Sequence, residues 1–203
     1  MAMNGFKGAL TLACVAAFSL SGCSTSERSN DSLPGKSEKH VMNMTMQQAA
    51  DRADAMLDAT FDAIKPSVHW AHGATTTGSC DVSRRRVVMT VISKERMGSL
   101  LGLVQRSWEQ NGYRIKSVNR DEVFPAIYAQ SSDGFGIALT VGADRQVFFE
   151  VATPCVKPSE VAAPTTPPNG PAYKYPIPRP DVHSDFWSSS TAFPSGSPAG
   201  AAK

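Results

Sequence analysis

The chain has 203 residues, 41% of them hydrophobic, with 20 Lys and Arg set against 18 Asp and Glu for a formal net charge of +2. So even a balance excludes a strong electrostatic pull toward nucleic acid or anionic lipid. No apolar run reaches the length of a membrane-spanning helix.

The first thirty residues carry an address. A weakly basic start at Lys7 leads into the apolar run "GALTLACVAAFSL", Gly8 to Leu20. That is the length of the hydrophobic region of an export signal and too short to cross a bilayer. Its end, Leu20-Ser21-Gly22-Cys23, resembles the lipobox of bacterial lipoproteins. The resemblance implies a signal peptide over 1–22, cleavage between Gly22 and Cys23, and a diacylglyceryl group on Cys23. The mature chain would then be moored to the extracytoplasmic face of the cell membrane. Each buried methylene of such an anchor contributes roughly 0.8 kcal/mol, and two acyl chains hold far better than one. Nothing about the activity of the mature domain follows from the signal.

The lipobox also sorts the four cysteines. Cys14 leaves with the signal and Cys23 takes the lipid, so Cys80 and Cys155 remain. In an exported domain they are expected to form one disulfide, with two free thiols or a metal site as the alternatives. Closing a loop of about 75 residues contributes up to ~4.5 kcal/mol by loop entropy.

Residues 23–42, polar and broken by Pro34-Gly35, are expected to be a flexible tether. A globular domain follows over 43–156. It opens with a helix: Thr45 and Gln48 have the spacing of a capping box. Met46, Ala49, Ala53, Met56, Leu57, Thr60, Phe61 and Ile64 fall on one side at helical spacing, and Pro66 ends the run. Asp51, Asp54, Asp58 and Asp62 form an acidic stripe opposite, expected to be the wet face. "SVHWAHG" suits a short strand, on which His69 and His72, three apart, would point to opposite faces and bind no common metal. "ATTTGSCD" reads as a loop.

"RRRVVMTVIS", Arg84 to Ser93, is the strongest strand signal. Its triple arginine either grips phosphate or is a solvated strand end beside the acidic helix. Ser93 is expected to cap a second helix with Glu95 in its first turn. Met97, Leu100, Leu101, Val104 and Trp108 form that helix's apolar stripe, and Asn111-Gly112 stops it. "YRIKSVN", "VFPAIYAQ", "GFGIALTV" and "QVFFEVAT" then read as an antiparallel meander, with turn chemistry in "SSDG" and "GADR". The expected fold class is α+β, in the order α-β-β-α-β-β-β-β, with both helices on one face of a mostly antiparallel sheet.

Residues 157–203 hold ten of the 14 prolines and few aliphatic residues. They are expected to be a disordered Pro/Ser-rich tail, in which "YPIPRP" favours polyproline II and "DFW" is a possible docking element. This layout of lipobox, tether, one cysteine pair and proline-rich end is similar to that of small actinobacterial lipoproteins of unknown function.

The sequence carries no G-x-S-x-G elbow, H-E-x-x-H, P-loop or paired-cysteine metal motif, so neither a catalytic residue nor a cofactor is assigned. The expected function is a non-catalytic, lipid-anchored protein that binds an envelope protein, a wall polymer or a small ligand. Its candidate surface is the exposed face of the meander with the adjacent helix edge. The alternatives are a small extracytoplasmic enzyme acting on wall material or peptides, and an envelope scaffold working through its tail.

Overall fold

The computed structural model of the chain describes residues 43–174 and 176–191. The signal peptide, Cys23 and the tether expected over 1–42 lie outside the described residues, as do Tyr175 and residues 192–203. Among the described residues, no helix is long and apolar enough to cross a membrane.

Helix α1 spans Met46–Ala63 and begins with the expected capping box: Gln48 N–H donates to Thr45 Oγ1, and the Thr45 amide donates to Gln48 Oε1. Three strands follow, β1 (Trp70–His72), β2 (Thr76–Thr77) and β3 (Val82–Val88). Helix α2, Lys94–Gln110, starts at Ser93, whose Oγ accepts from the Arg96 amide. It ends at Asn111 and at Gly112, whose φ of 76° suits a residue without a Cβ. The meander is β4 (Arg114–Asn119), β5 (Ala126–Gln130), β6 (Gly136–Val141) and β7 (Val147–Ala152). The fold is α+β. It has one strand more than expected, because Thr76–Thr77, read as loop, pairs with Val82 and Ser83 across a tight turn.

All strands form one antiparallel sheet in the order β1-β3-β7-β6-β5-β4, with β2 also paired to β3. Helix α2 therefore carries the chain from β3, beside the β1 edge, to the opposite edge at β4. Both helices pack on one face: Ala53, Leu57 and Leu100 share a core with Ile137, Leu139, Phe149 and Val151. Strand alternation sends every second side chain there, and β6 reads intermediate–buried throughout. The Trp108 indole N–H donates to Thr60 Oγ1 at 3.0 Å, joining α2 to α1 inside this core. The Cys80–Cys155 disulfide closes the base of β3 onto the end of β7.

The tail is the main departure from expectation. Its described part is an ordered strap, so the domain does not stop at 156. Lys157 pairs with the start of α1, its amide donating to Met44 O and its carbonyl accepting from Met46 N. Asn169 then caps the edge strand β1, accepting from Trp70 N and donating to Val68 O. The strap passes close to His69 at Gly170, where any Cβ would come within 3.3 Å of the ring. Beyond that point Tyr173, Ile177 and Val182 cover Ala71, Val87 and Met89 on the outer face. Finally Trp187 enters the main core at 1% exposure, donating from Nε1 to Pro66 O at 2.7 Å. Ordering comes from side chains placed one at a time and from bonds to exposed backbone, while prolines lower the entropy lost.

Trp187→Ala is therefore expected to destabilise the domain by about 3–5 kcal/mol in urea denaturation, as for a core aromatic. A disordered tail would leave the midpoint unmoved.

Candidate functional site

The triple arginine is the first candidate to resolve. Along β3 the alternation sends Arg84 and Arg86 under α1 and Arg85 to the outer face. Arg84 and Arg86 are each 1% exposed, so neither is a solvated strand end and neither is open to a phosphate. Arg84 Nε lies 3.2 Å from Asp54 Oδ2, and its other nitrogens donate to Thr75 Oγ1 and Ala162 O, both at 2.7 Å. Arg86 donates to Asp58 Oδ1 at 2.5 Å, with its guanidinium carbon 3.9 Å from the centre of a Trp70 ring. Thr166 of the strap closes the cluster, donating to Asp58 Oδ2. Two of the four aspartates expected on a wet face are thus ion-pair partners of buried arginines. Burial pushes the Asp54 carboxyl above its ordinary range, against the pull of Arg84, Arg86 and His72. Arg85 pairs with Glu150 at 2.7 Å on the other face.

The histidines part company. His72 Nε2 meets Thr166 O at 2.8 Å, whereas His69 precedes the strand and lies against Gly170. Among the described residues no group of three His, Cys, Asp or Glu is placed to hold a metal ion.

The second candidate is a groove of about 410 Å³ between α2 and the β4–β5 connection. Its floor is Val118, Ile127 and Val141, whose strand positions face the helices, and one wall is Met97 and Leu101 of α2. Gly98 opens the wall between them: a Cβ built there meets nothing within 4 Å. The expected surface of "exposed meander face with helix edge" is really two surfaces, because the helix edge lies on one side of the sheet and the exposed face on the other. The second holds a shallow hollow around Lys116, Tyr128 and Ala138.

The opposite wall is a loop held in shape from within. Asp121 Oδ1 accepts from the amides of Val123 (2.9 Å) and Phe124 (2.8 Å). Asn119 accepts from the Asp121 amide and donates to Phe124 O. These bonds hold the Asp121 carboxyl below its ordinary range, the Phe124 amide contributing most. The loop so fixed presents Val123 at 60% and Phe124 at 53% exposure, the two most exposed large hydrophobic side chains described. At the end of the groove stands Arg145. It and Asp144 occupy the left-handed region, with φ of 57° and 53°, in the tight turn between β6 and β7. That turn favours Asn-Gly, and a non-glycine residue there costs on the order of 1–3 kcal/mol. Arg145 is anchored by its Nε–H donating to Ile92 O at 3.1 Å.

The groove was missed in the sequence, although one signal existed. Gly98 and Gly102 sit four apart inside a helix, where each costs roughly 1 kcal/mol relative to alanine, and both line it.

No protein-family model matches the chain, and no curated protein matches it. Among solved structures, a DUF4853 family protein from Actinomyces odontolyticus is similar at 14% identity and a TM-score of 0.28, over 71% of this chain and 77% of that one. The fold class rests on this chain's own helices and sheet.

Three outcomes are expected. Arg84→Ala strands the buried Asp54 carboxylate and should cost about 3–5 kcal/mol in urea denaturation. Arg85→Ala removes a half-exposed pair and should cost below about 1 kcal/mol. Asp121→Ala should speed hydrogen exchange of the Val123 and Phe124 amides at neutral pH, with Glu122→Ala leaving them unchanged. The Asp121 carboxyl, depressed in the folded state, supports the loop above the ordinary value of 3.8, and that support is lost as pH falls below it.

Proposed function

We propose that this chain is a lipid-anchored extracytoplasmic binding protein that is non-catalytic and reads its partner through the α2–loop groove. The observation that carries the reading is the pairing of an open apolar groove with a loop whose own side chains fix it before any partner arrives. Pre-organisation of that kind lowers the ordering cost of binding. The Cys80–Cys155 disulfide is consistent with an extracytoplasmic domain, where an oxidising compartment preserves such bonds. Anchoring through Cys23 rests on the lipobox resemblance. The scaffold alternative is less favoured, because Tyr173, Ile177 and Trp187 already pack within the domain.

Three measurements test this reading. Cys23→Ser should move the protein from the membrane fraction to the soluble fraction, and mass spectrometry should find acyl chains on Cys23 of the unaltered protein. Gly98→Leu fills the groove at a site with room for a side chain, so it should abolish capture of the partner from detergent-solubilised envelope with the fold intact. Capture that survives Gly98→Leu but fails on truncation after Thr191 would transfer the function to the tail end.

A further inference from the structure

Charge is distributed unevenly over this molecule. Arg84 and Arg86 on the helix side of β3, Arg85 on its outer face, and Arg179 of the strap are all in ion pairs. Exposed cations outside these pairs include Lys65, Arg114, Lys116, Lys157 and Lys174, and a further group of them gathers around the groove. Among the described residues Lys94, Arg106, Arg120 and Arg145 carry no ion pair, and all four are exposed. Lys94, Arg120 and Arg145 line the groove, and the Arg106 guanidinium lies over Gly102, 3.2 Å from where a Cβ would stand. Of the two acids in the lining, Asp121 is already engaged by two backbone amides, which leaves Glu122.

We infer that the groove binds an acidic peptide segment of a partner protein, with one bulky apolar side chain seated over Gly98 between Met97 and Leu101 and carboxylates at the cationic rim. The inference rests on the groove being the binding surface. Peptide is favoured over a lipid chain by the shape, an open trough with one wall made of a polar-backbone loop. The apolar seat supplies affinity, and the unpaired cations supply orientation and on-rate toward an acidic partner. The backbone conformation of Arg145 fits this role, since strain at a non-glycine left-handed residue persists where the side chain is needed in one place.

The test is selection of random twelve-residue peptides displayed on phage against the purified full chain. Enriched peptides should combine two or more Asp or Glu with one Phe, Trp, Leu or Met. Their binding should fall at least tenfold on Gly98→Leu, at least tenfold on combining Lys94→Glu with Arg120→Glu, and steeply with added salt. Arg145→Gly separates a structural role from a recognition role. Glycine relieves the left-handed backbone but gives up the Nε–H bond to Ile92 O, so the two changes offset and thermal stability should move little while binding weakens severalfold. Enriched peptides without acidic residues that still depend on Gly98 would overturn the charge assignment and leave the groove standing. Peptides indifferent to Gly98→Leu, or no enrichment at all, would overturn both.

Discussion

Two guanidinium ions held out of water beneath a helix set the terms for the rest of this fold. Removing an ion from solvent costs several kcal/mol unless it is paired and hydrogen-bonded. Arg84 and Arg86 meet that demand through geometry. Four residues along α1 advance about 6 Å, and two residues along β3 advance about 6.7 Å, so Asp54 and Asp58 stand opposite the two arginines as rungs of a ladder. The ladder fixes how α1 lies on the sheet. It also leaves donors and oxygens that neither helix nor strand can satisfy. Thr75 answers one, Ala162 O another and Thr166 a third. Two of those three belong to the strap, so ordering the proline-rich segment and burying the arginines are parts of one arrangement.

Legibility in the sequence followed the range of the interaction. Signals confined to one turn of backbone read correctly: the Thr45–Gln48 box, the Ser93 cap, the Gly112 stop and the turns on either side of β6. Periodicity read correctly too, because the alternation in Phe135, Ile137, Leu139 and Val141 reports a single buried face. What failed was long-range pairing. The acidic stripe looked solvated because helical spacing shows only that Asp54 and Asp58 lie away from the apolar centre. It does not show that a neighbouring strand brings cations to meet them. The strap failed for a related reason. Its composition lacks any apolar run, and its order depends on isolated residues, Trp187 above all, finding cavities more than a hundred residues back along the chain.

The strap also divides the sheet into unequal halves. At the β1 edge Asn169 occupies backbone groups that would otherwise be free to pair, which blunts a template for unwanted strand addition. Over the outer face next to it, Tyr173, Ile177 and Val182 remove Val87 and Met89 from water. Among the described residues, no such cover reaches β4 or β5. Arg114 and Lys116 on the β4 edge are exposed charges, and β4 carries a register shift between Ile115 and Ser117, so that edge is protected by charge and irregularity.

This division gives the groove its meaning. In the strapped half, every arginine of β3 is matched, as burial requires. In the open half, solvent screens Lys94, Arg106, Arg120 and Arg145, and no such requirement acts on them. Their lack of ion-pair partners is inexpensive there, yet two neighbouring features are not. The helix accepts Gly98 and Gly102 against its own propensity, and the β6–β7 turn accepts Arg145 where glycine would be easier. The glycine at 98 does not improve packing, since a Cβ there would touch nothing, and Arg145 gives the fold a single bond, from its Nε–H to Ile92 O. Both shape the same trough and its rim. Local costs that converge on one surface without serving the core are the physical mark of a surface kept for something outside the molecule.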